Sequence, residues 1–195
     1  KESESYYLRA LELNPDHNES HNNLLFLLSG FKYDPTHYLQ LAKNFGAMIS
    51  KSMASRYTTY ECRDQPNFLR VGFISGDFRN HPVGYFLEGV IEKLRSSTFE
   101  LYAYNTRQGE DELTSRLKGH FNEFRTLVGK SDEDSAEIIH RDGINVLIDL
   151  SGHTSGNRLR ILAFKPAPIQ VTWLGYFAST GVEEIDYILG DRYVT

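Results

Sequence analysis

Asp77, Asn80 and His81 stand together in the stretch SGDFRNHPVGYF at 75–86, between a short apolar run and a longer one. An imidazole takes up or releases a proton near neutral pH, and a carboxylate four residues away can orient it or face a developing positive charge. The same residue types also cap helices, so Asp77 and Asn80 could close a helix start with His81 packed on it. Pro82 fits the first helical position and biases His81 towards extended backbone. Spacing alone does not separate the two readings. The other chemistry-bearing residues read more plainly. His17, His37 and His120 sit in helical or turn contexts as surface residues, and His140 precedes a strand on the opposite rim. Cys62 has no base near it in sequence and reads as an inert linker residue.

The elements that must position this turn alternate in type. LRVGFIS (69–75), FELYAYN (99–105), INVLIDL (144–150), IQVTWLG (169–175) and DYILG (186–190) read as strands. Between them, PVGYFLEGVIEKLR places Val83, Phe86, Leu87, Val90, Ile91 and Leu94 on one helical face. DELTSRLKGHFNEF and SDEDSAEIIHRDG also read as helices, the latter with Ser131 as N-cap and Gly143 as stop. Strands alternating with helices predict an α/β domain with a mainly parallel sheet and right-handed crossovers. Ligands of such sheets bind at the carboxyl ends of the strands. Three loops rich in Gly, Ser or Thr fall on that rim: SGDFRNHP, SGHTSGNR and GYFASTG. The first opens a helix whose amides and dipole favour an anionic group such as a phosphate.

Ahead of this domain the chain reads as all helix. Ser3, Tyr7, Ala10 and Pro15 have the spacing of the second helix of a tetratricopeptide repeat, and SHNNLLFLL resembles the opening of the next helix. Tyr38, Leu41, Ala42, Phe45, Met48 and Ile49 continue at helical spacing, and RDQPN with Pro66 marks a boundary. The expected organisation is therefore a repeat end over 1–30, linker helices over 31–66 and a Rossmann-like domain over 67–195. The chain starts without Met inside a helical pattern, which reads as a piece of something longer.

Several chemistries are excluded on these residues. There is no G-x-G-x-x-G after the first strand, no acid after the second, no G-K-[ST] loop, and SGHTSG is not a nucleophile elbow. A net charge of −5 with no dense Lys/Arg block argues against a nucleic-acid partner. No apolar stretch is long enough for a membrane span, and no Cys/His cluster has zinc spacing. One cysteine in 195 residues fits a reducing compartment, so a cytoplasmic location is expected.

LRVGFISGDFRNHPVGYFLEGVIEKL, INVLIDLSGHTSGNRLRILAFKPAPIQVTWLGYFASTG and IDYILGD, in that order and spacing, resemble the amino-terminal half of the catalytic region of the O-GlcNAc transferase family. The helical lead-in fits too, because that family carries tetratricopeptide repeats directly before the catalytic region. The resemblance implies the first Rossmann-like half of a two-domain (GT-B type) glycosyltransferase. It implies an inverting transfer of GlcNAc from UDP-GlcNAc to protein Ser or Thr hydroxyls. No metal or other cofactor is implied. A related transferase using GDP-fucose or UDP-glucose, and an inactive protein-binding module, are the alternatives. By the family motif Asp77 and His81 belong to the reaction centre, with Asn80 and Pro82 beside them. His21 matches a second histidine proposed as a proton acceptor. His153, Thr154, Leu174 and Gly175 match substrate-contacting positions. Phe177 stands where the family usually has proline. Acceptor proteins are expected to bind through the repeats, and nucleotide contacts are expected from a carboxyl-terminal half beyond Thr195, without which the chain should not turn over.

Overall fold

The computed structural model describes residues 2–30, 34–53, 55–62, 67–94 and 98–193. The boundary expected around Pro66 lies outside them. Three helices lead in: α1 (Glu2–Leu13), α2 (Asn18–Ser29) and α3 (Pro35–Lys51). Asp34 caps α3, its side chain accepting from the Thr36 N–H, with Pro35 in the first helical turn. Leu24, Leu25 and Leu28 of α2 and Ala42, Phe45 and Ile49 of α3 form one buried cluster that also takes in Leu159, Ala163 and Val182 from the following domain. The lead-in is thus packed onto that domain.

Six strands follow: β1 (Leu69–Ser75), β2 (Phe99–Asn105), β3 (Glu123–Thr126), β4 (Val146–Asp149), β5 (Ile169–Trp173) and β6 (Tyr187–Leu189). They form one sheet in the order β3-β2-β1-β4-β5-β6. Every pairing is parallel. The connecting helices are α4 (Pro82–Leu94), α5 (Glu112–Lys118), α6 (Asp132–Arg141) and α7 (Leu159–Ala163). Residues alternate sides along β1: Val71 and Phe73 face a core closed by Val83, Leu87 and Ile91 of α4 and by Leu113 and Leu117 of α5. Ile74 faces the opposite core with Ala136 and Ile139 of α6 and Ile161 and Leu162 of α7. Both sheet faces are covered, which is why β1 reads as a continuous apolar run. The strand order reverses between β1 and β4, the switch point at which doubly wound sheets open a crevice.

One element differs from the sequence reading. The stretch 111–124, expected as a single helix, holds α5 only to Lys118. Gly119 caps that helix, and Glu123 already pairs with Tyr102 as the first residue of β3. A four-residue edge strand with no buried residue carries no apolar alternation, so its pairing with β2 decides its conformation. Ser131 and Gly143 behave as expected: the Ser131 hydroxyl accepts from the Asp134 N–H, and Gly143 takes φ 63° just past α6.

Candidate active site

The loop after β1 is built by its own neighbours. Asp77 is buried, and its backbone N–H donates to Ser75 Oγ at 2.9 Å. Asp77 Oδ1 accepts from Arg79 Nε at 3.3 Å, and Oδ2 lies 3.6 Å from His81 Nδ1. His81 caps α4: its Nδ1 accepts the Val83 N–H at 3.3 Å and its carbonyl accepts the Tyr85 N–H. The turn is therefore a helix cap that also sets the imidazole beside a carboxylate. Nδ1 thus lies between one donor, the Val83 N–H, and one acceptor, the Asp77 carboxylate, and the ring proton can sit on either nitrogen. The Asn80 N–H donates to Asp111 Oδ2 at 2.6 Å, tying the turn to the start of α5. That bond, and then the one from the Thr114 N–H, hold the Asp111 carboxyl below the usual carboxylate range. Gly84 is required beneath the turn, because a Cβ there would lie 2.3 Å from the Arg79 carbonyl oxygen.

Across the rim, the loop after β5 completes a cavity of about 550 Å³. Its walls include His81, Pro82 and Phe86 from α4 and its entry, Trp173, Leu174, Gly175 and Phe177 from the β5 end, Leu189 at the end of β6 and Asp191 beyond it. Leu174 holds φ 75°, a left-handed conformation that costs a side chain of its kind about 1–2 kcal/mol. Strain of this sort persists where the surroundings over-determine it and gathers at ligand-holding positions. Phe86 and Phe177 leave 67% and 69% of their surface exposed, so the cavity mouth is aromatic. Phe86, expected on the buried face of α4, is instead turned to this opening.

The loop after β4 is tied inward. Asp149, fully buried, accepts from the Ser151 and Gly152 N–H groups and from Thr172 Oγ1, and burial nonetheless pushes its pKa up. Thr154 spends its hydroxyl on the Ser151 carbonyl at 2.7 Å. His153 is 2% exposed, its Nδ1 2.7 Å from Asn22 Oδ1 and its Nε2 2.8 Å from the Thr180 carbonyl. Burial lowers its pKa to about 4, against the pull of the Thr180 carbonyl, so the ring is neutral at pH 7. His21, also buried, has Nε2 2.8 Å from the Pro15 carbonyl and lines a separate cavity between α1 and α3.

Of the residues singled out from sequence, His81, Pro82, Leu174 and Gly175 share one cavity, with Asp77 behind His81. Asn80 lies in the same turn with its side chain exposed. His153, Thr154 and His21 are not on that cavity's wall. Sequence reasoning missed Trp173, Phe86, Leu189 and Asp191. A helix-face count cannot tell a core Phe from one at a cavity mouth, and Asp191 lies past the last strand. His140 stacks on Tyr57 at 3.9 Å between ring centroids and bonds the Thr59 carbonyl, a structural role on the far rim. Among the described residues no group of three or more His, Cys, Asp or Glu could hold a metal ion. No described helix is long and apolar enough to cross a membrane.

A six-stranded parallel sheet of this order, with its cavity on the carboxyl rim, is the first Rossmann-like half of a GT-B glycosyltransferase fold. The model of glycosyl transferase family 41 matches residues 39–195, and the chain belongs to that family. It is 30% identical over 194 residues, 95% of its length, to a probable UDP-N-acetylglucosamine–peptide N-acetylglucosaminyltransferase (SPINDLY) of Oryza sativa subsp. japonica. A UDP-N-acetylglucosamine–peptide N-acetylglucosaminyltransferase of Caenorhabditis elegans is 38% identical over 127 residues, 63% of this chain. The chain spans 20% and 11% of the lengths of these two relatives. The solved structure of a K341M mutant of the Thermobaculum terrenum O-GlcNAc transferase superposes with a TM-score of 0.90 at 36% identity. That match covers 97% of this chain and 37% of the other.

Proposed function

We propose that this chain forms one wall of a protein O-GlcNAc transfer site, moving GlcNAc from UDP-GlcNAc to Ser or Thr hydroxyls with inversion at the anomeric carbon. The observation that carries the reading is the single rim cavity joining His81 to Leu174 and Gly175 from the far loop. In the step, the acceptor oxygen bonds to the anomeric carbon as the carbon–oxygen bond to UDP breaks, and the hydroxyl proton passes to an imidazole. His81 suits that base in the tautomer whose Nδ1 proton faces Asp77 Oδ2, which leaves the Nε2 lone pair free to accept, and 36% of its side chain is exposed. Asp77, with Oδ2 3.6 Å from the ring, would stabilise the imidazolium and the positive charge that grows on the sugar. The positive end of the α4 dipole would favour the negative charge that grows on the diphosphate. His21 takes no part in the transfer in this reading, because it lines the separate cavity between α1 and α3.

The nucleotide base would be held by a carboxyl-terminal half outside these 195 residues, and acceptor proteins by repeats continuous with α1 and α2. The aromatic mouth at Phe177 is the feature that bears on donor choice. The test compares transfer from labelled UDP-GlcNAc, GDP-fucose and UDP-glucose by the full-length protein carrying this sequence, with His81→Ala alongside. The expected result is transfer from UDP-GlcNAc and a fall of about 10²–10⁴-fold in kcat for the variant. A parent protein inert with all three donors would instead favour a binding module, and unchanged transfer by His81→Ala would remove the assignment of the base.

A further inference from the structure

The loop 174–181 walls the cavity on one side and meets the lead-in helices on the other. Among the described residues, its side-chain hydrogen bonds to residues distant in sequence run to α2, to α3 and to His153. Tyr176 Oη donates to the Leu25 carbonyl at 3.1 Å, Tyr38 Oη donates to the Ser179 carbonyl at 2.8 Å, and His153 Nε2 lies 2.8 Å from the Thr180 carbonyl. His153 also reaches the lead-in through Asn22, 2.7 Å away. The Asn22 amide is itself fixed by the Asn18 carbonyl at 2.9 Å and by Asn157 Nδ2 at 3.2 Å. The imidazole stands edge-on to Phe45 of α3 and to Tyr176 of the loop, with ring centroids 4.7 and 5.2 Å away. A neutral ring has one N–H, so it donates either to Thr180 or to Asn22 and packs its other nitrogen against the second oxygen; the ring is buried, so His153 reaches the cavity only through what it holds.

We propose that His153 is a positioning residue that locks loop 174–181 to α2, and thereby fixes the wall formed by Leu174, Gly175 and Phe177 against which the sugar nucleotide is held. The left-handed Leu174 is the point at which that lock matters, because its conformation relaxes when the surroundings let go. Anything that shifts α2 or α3, such as a protein seated on the preceding helices, then acts on the cavity wall through one buried ring. The part that concerns the sugar nucleotide rests on the proposed function, whereas the mechanical tie does not.

Trp173 supplies a test of the tie alone, since it is the single tryptophan of the 195-residue chain, half-buried, on the cavity wall and next to Leu174. Acrylamide quenching of its fluorescence is compared in wild type, His153→Ala, Asn22→Ala and Ile139→Ala. The last removes a fully buried side chain from the core under α6 and serves as a control for general destabilisation. The first two variants should raise the quenching constant about twofold and move KM for UDP-GlcNAc in the full-length protein up about tenfold. The change in kcat should stay within about threefold, a split that marks lost binding rather than lost chemistry. His153→Gln, which can still donate to Thr180, should recover most of the loss. Should His153→Ala fail to fold, Asn22→Ala decides alone. Wild-type quenching in His153→Ala and Asn22→Ala, or an equal rise in Ile139→Ala, would overturn the proposal. If the full-length protein uses no sugar nucleotide, the transfer reading falls and the quenching series still settles the tie.

Discussion

The loop after β1 takes its shape from residues close by, whereas the loop after β5 takes its shape from helices 138 and 151 positions away in sequence. In the first, Ser75, Arg79, Val83 and the nearby Asp111 satisfy the turn, and Gly84 makes room for it. In the second, Tyr38, Leu25 and Asn22 of the lead-in do the holding, directly or through His153. One side of the candidate site is therefore local and self-sufficient, and the other is only as well formed as the contact between lead-in and sheet. A binding signal from the helices has a route to the second wall and none of this kind to the first.

The sharpest way to break the comparison is at Gly181. It holds φ 77°, and a Cβ there would lie 1.9 Å from the Ala42 carbonyl oxygen of α3. One turn along α3, Gly46 meets the Gly181 carbonyl equally closely. Gly181→Ala combines backbone strain with an overpacked backbone contact, and should cost about 3–4 kcal/mol in urea unfolding. It should also part the lead-in from the β5 loop while leaving the β1 turn intact. A loss below about 1 kcal/mol would mean that the contact yields easily and that the second wall is not clamped.

Acid should loosen the second wall before the first. His153 stays neutral in the fold down to pH about 4, while in the unfolded chain a histidine protonates below about 6.5. The unfolded state thus binds more protons between these values, so stability is full above pH 6.5 and falls as the pH drops through the window. Relative to His153→Gln, the wild type should lose roughly 3 kcal/mol more between pH 7 and pH 4. Parallel curves for the two proteins would contradict the buried, neutral ring. On the local side, Gly84→Ala should cost about 2 kcal/mol by pressing on the 77–81 turn, and should lower transfer by displacing His81 without moving Trp173 fluorescence.

How much of this was legible in sequence follows the same division. β1, β2, α4 and α6 announce themselves through apolar spacing and caps, and the turn at 75–82 carries its own chemistry in consecutive residues. β3 did not, because a four-residue edge strand with no buried residue has no pattern of its own and exists by pairing with β2. Leu174 and Gly175 came from family resemblance, and nothing local foretells that Leu174 is left-handed. His153 shows the limit most clearly. Family resemblance made it a substrate-contacting position, whereas here the side chain turns inward, with Asn22 and Phe45, far off in sequence, as a polar neighbour and an aromatic wall.

The finest test of the non-local wall is the Tyr38–Tyr176 pair. The two hydroxyl oxygens are 2.6 Å apart, and each also faces a carbonyl, Ser179 for Tyr38 and Leu25 for Tyr176. Two protons therefore serve three short contacts, and one contact always goes without. Tyr38→Phe strips the Ser179 carbonyl of its donor and should cost about 1–2 kcal/mol. Tyr176→Phe removes a donor from Leu25, whose carbonyl lies inside α2 and bonds along the helix as well, so its cost should stay under about 1 kcal/mol. Because the remaining hydroxyl can redirect its proton in either single variant, the double variant should lose more than the sum of the two. Strict additivity would show that the two phenols act independently, and that the lead-in holds the β5 loop through separate contacts rather than through one shared network.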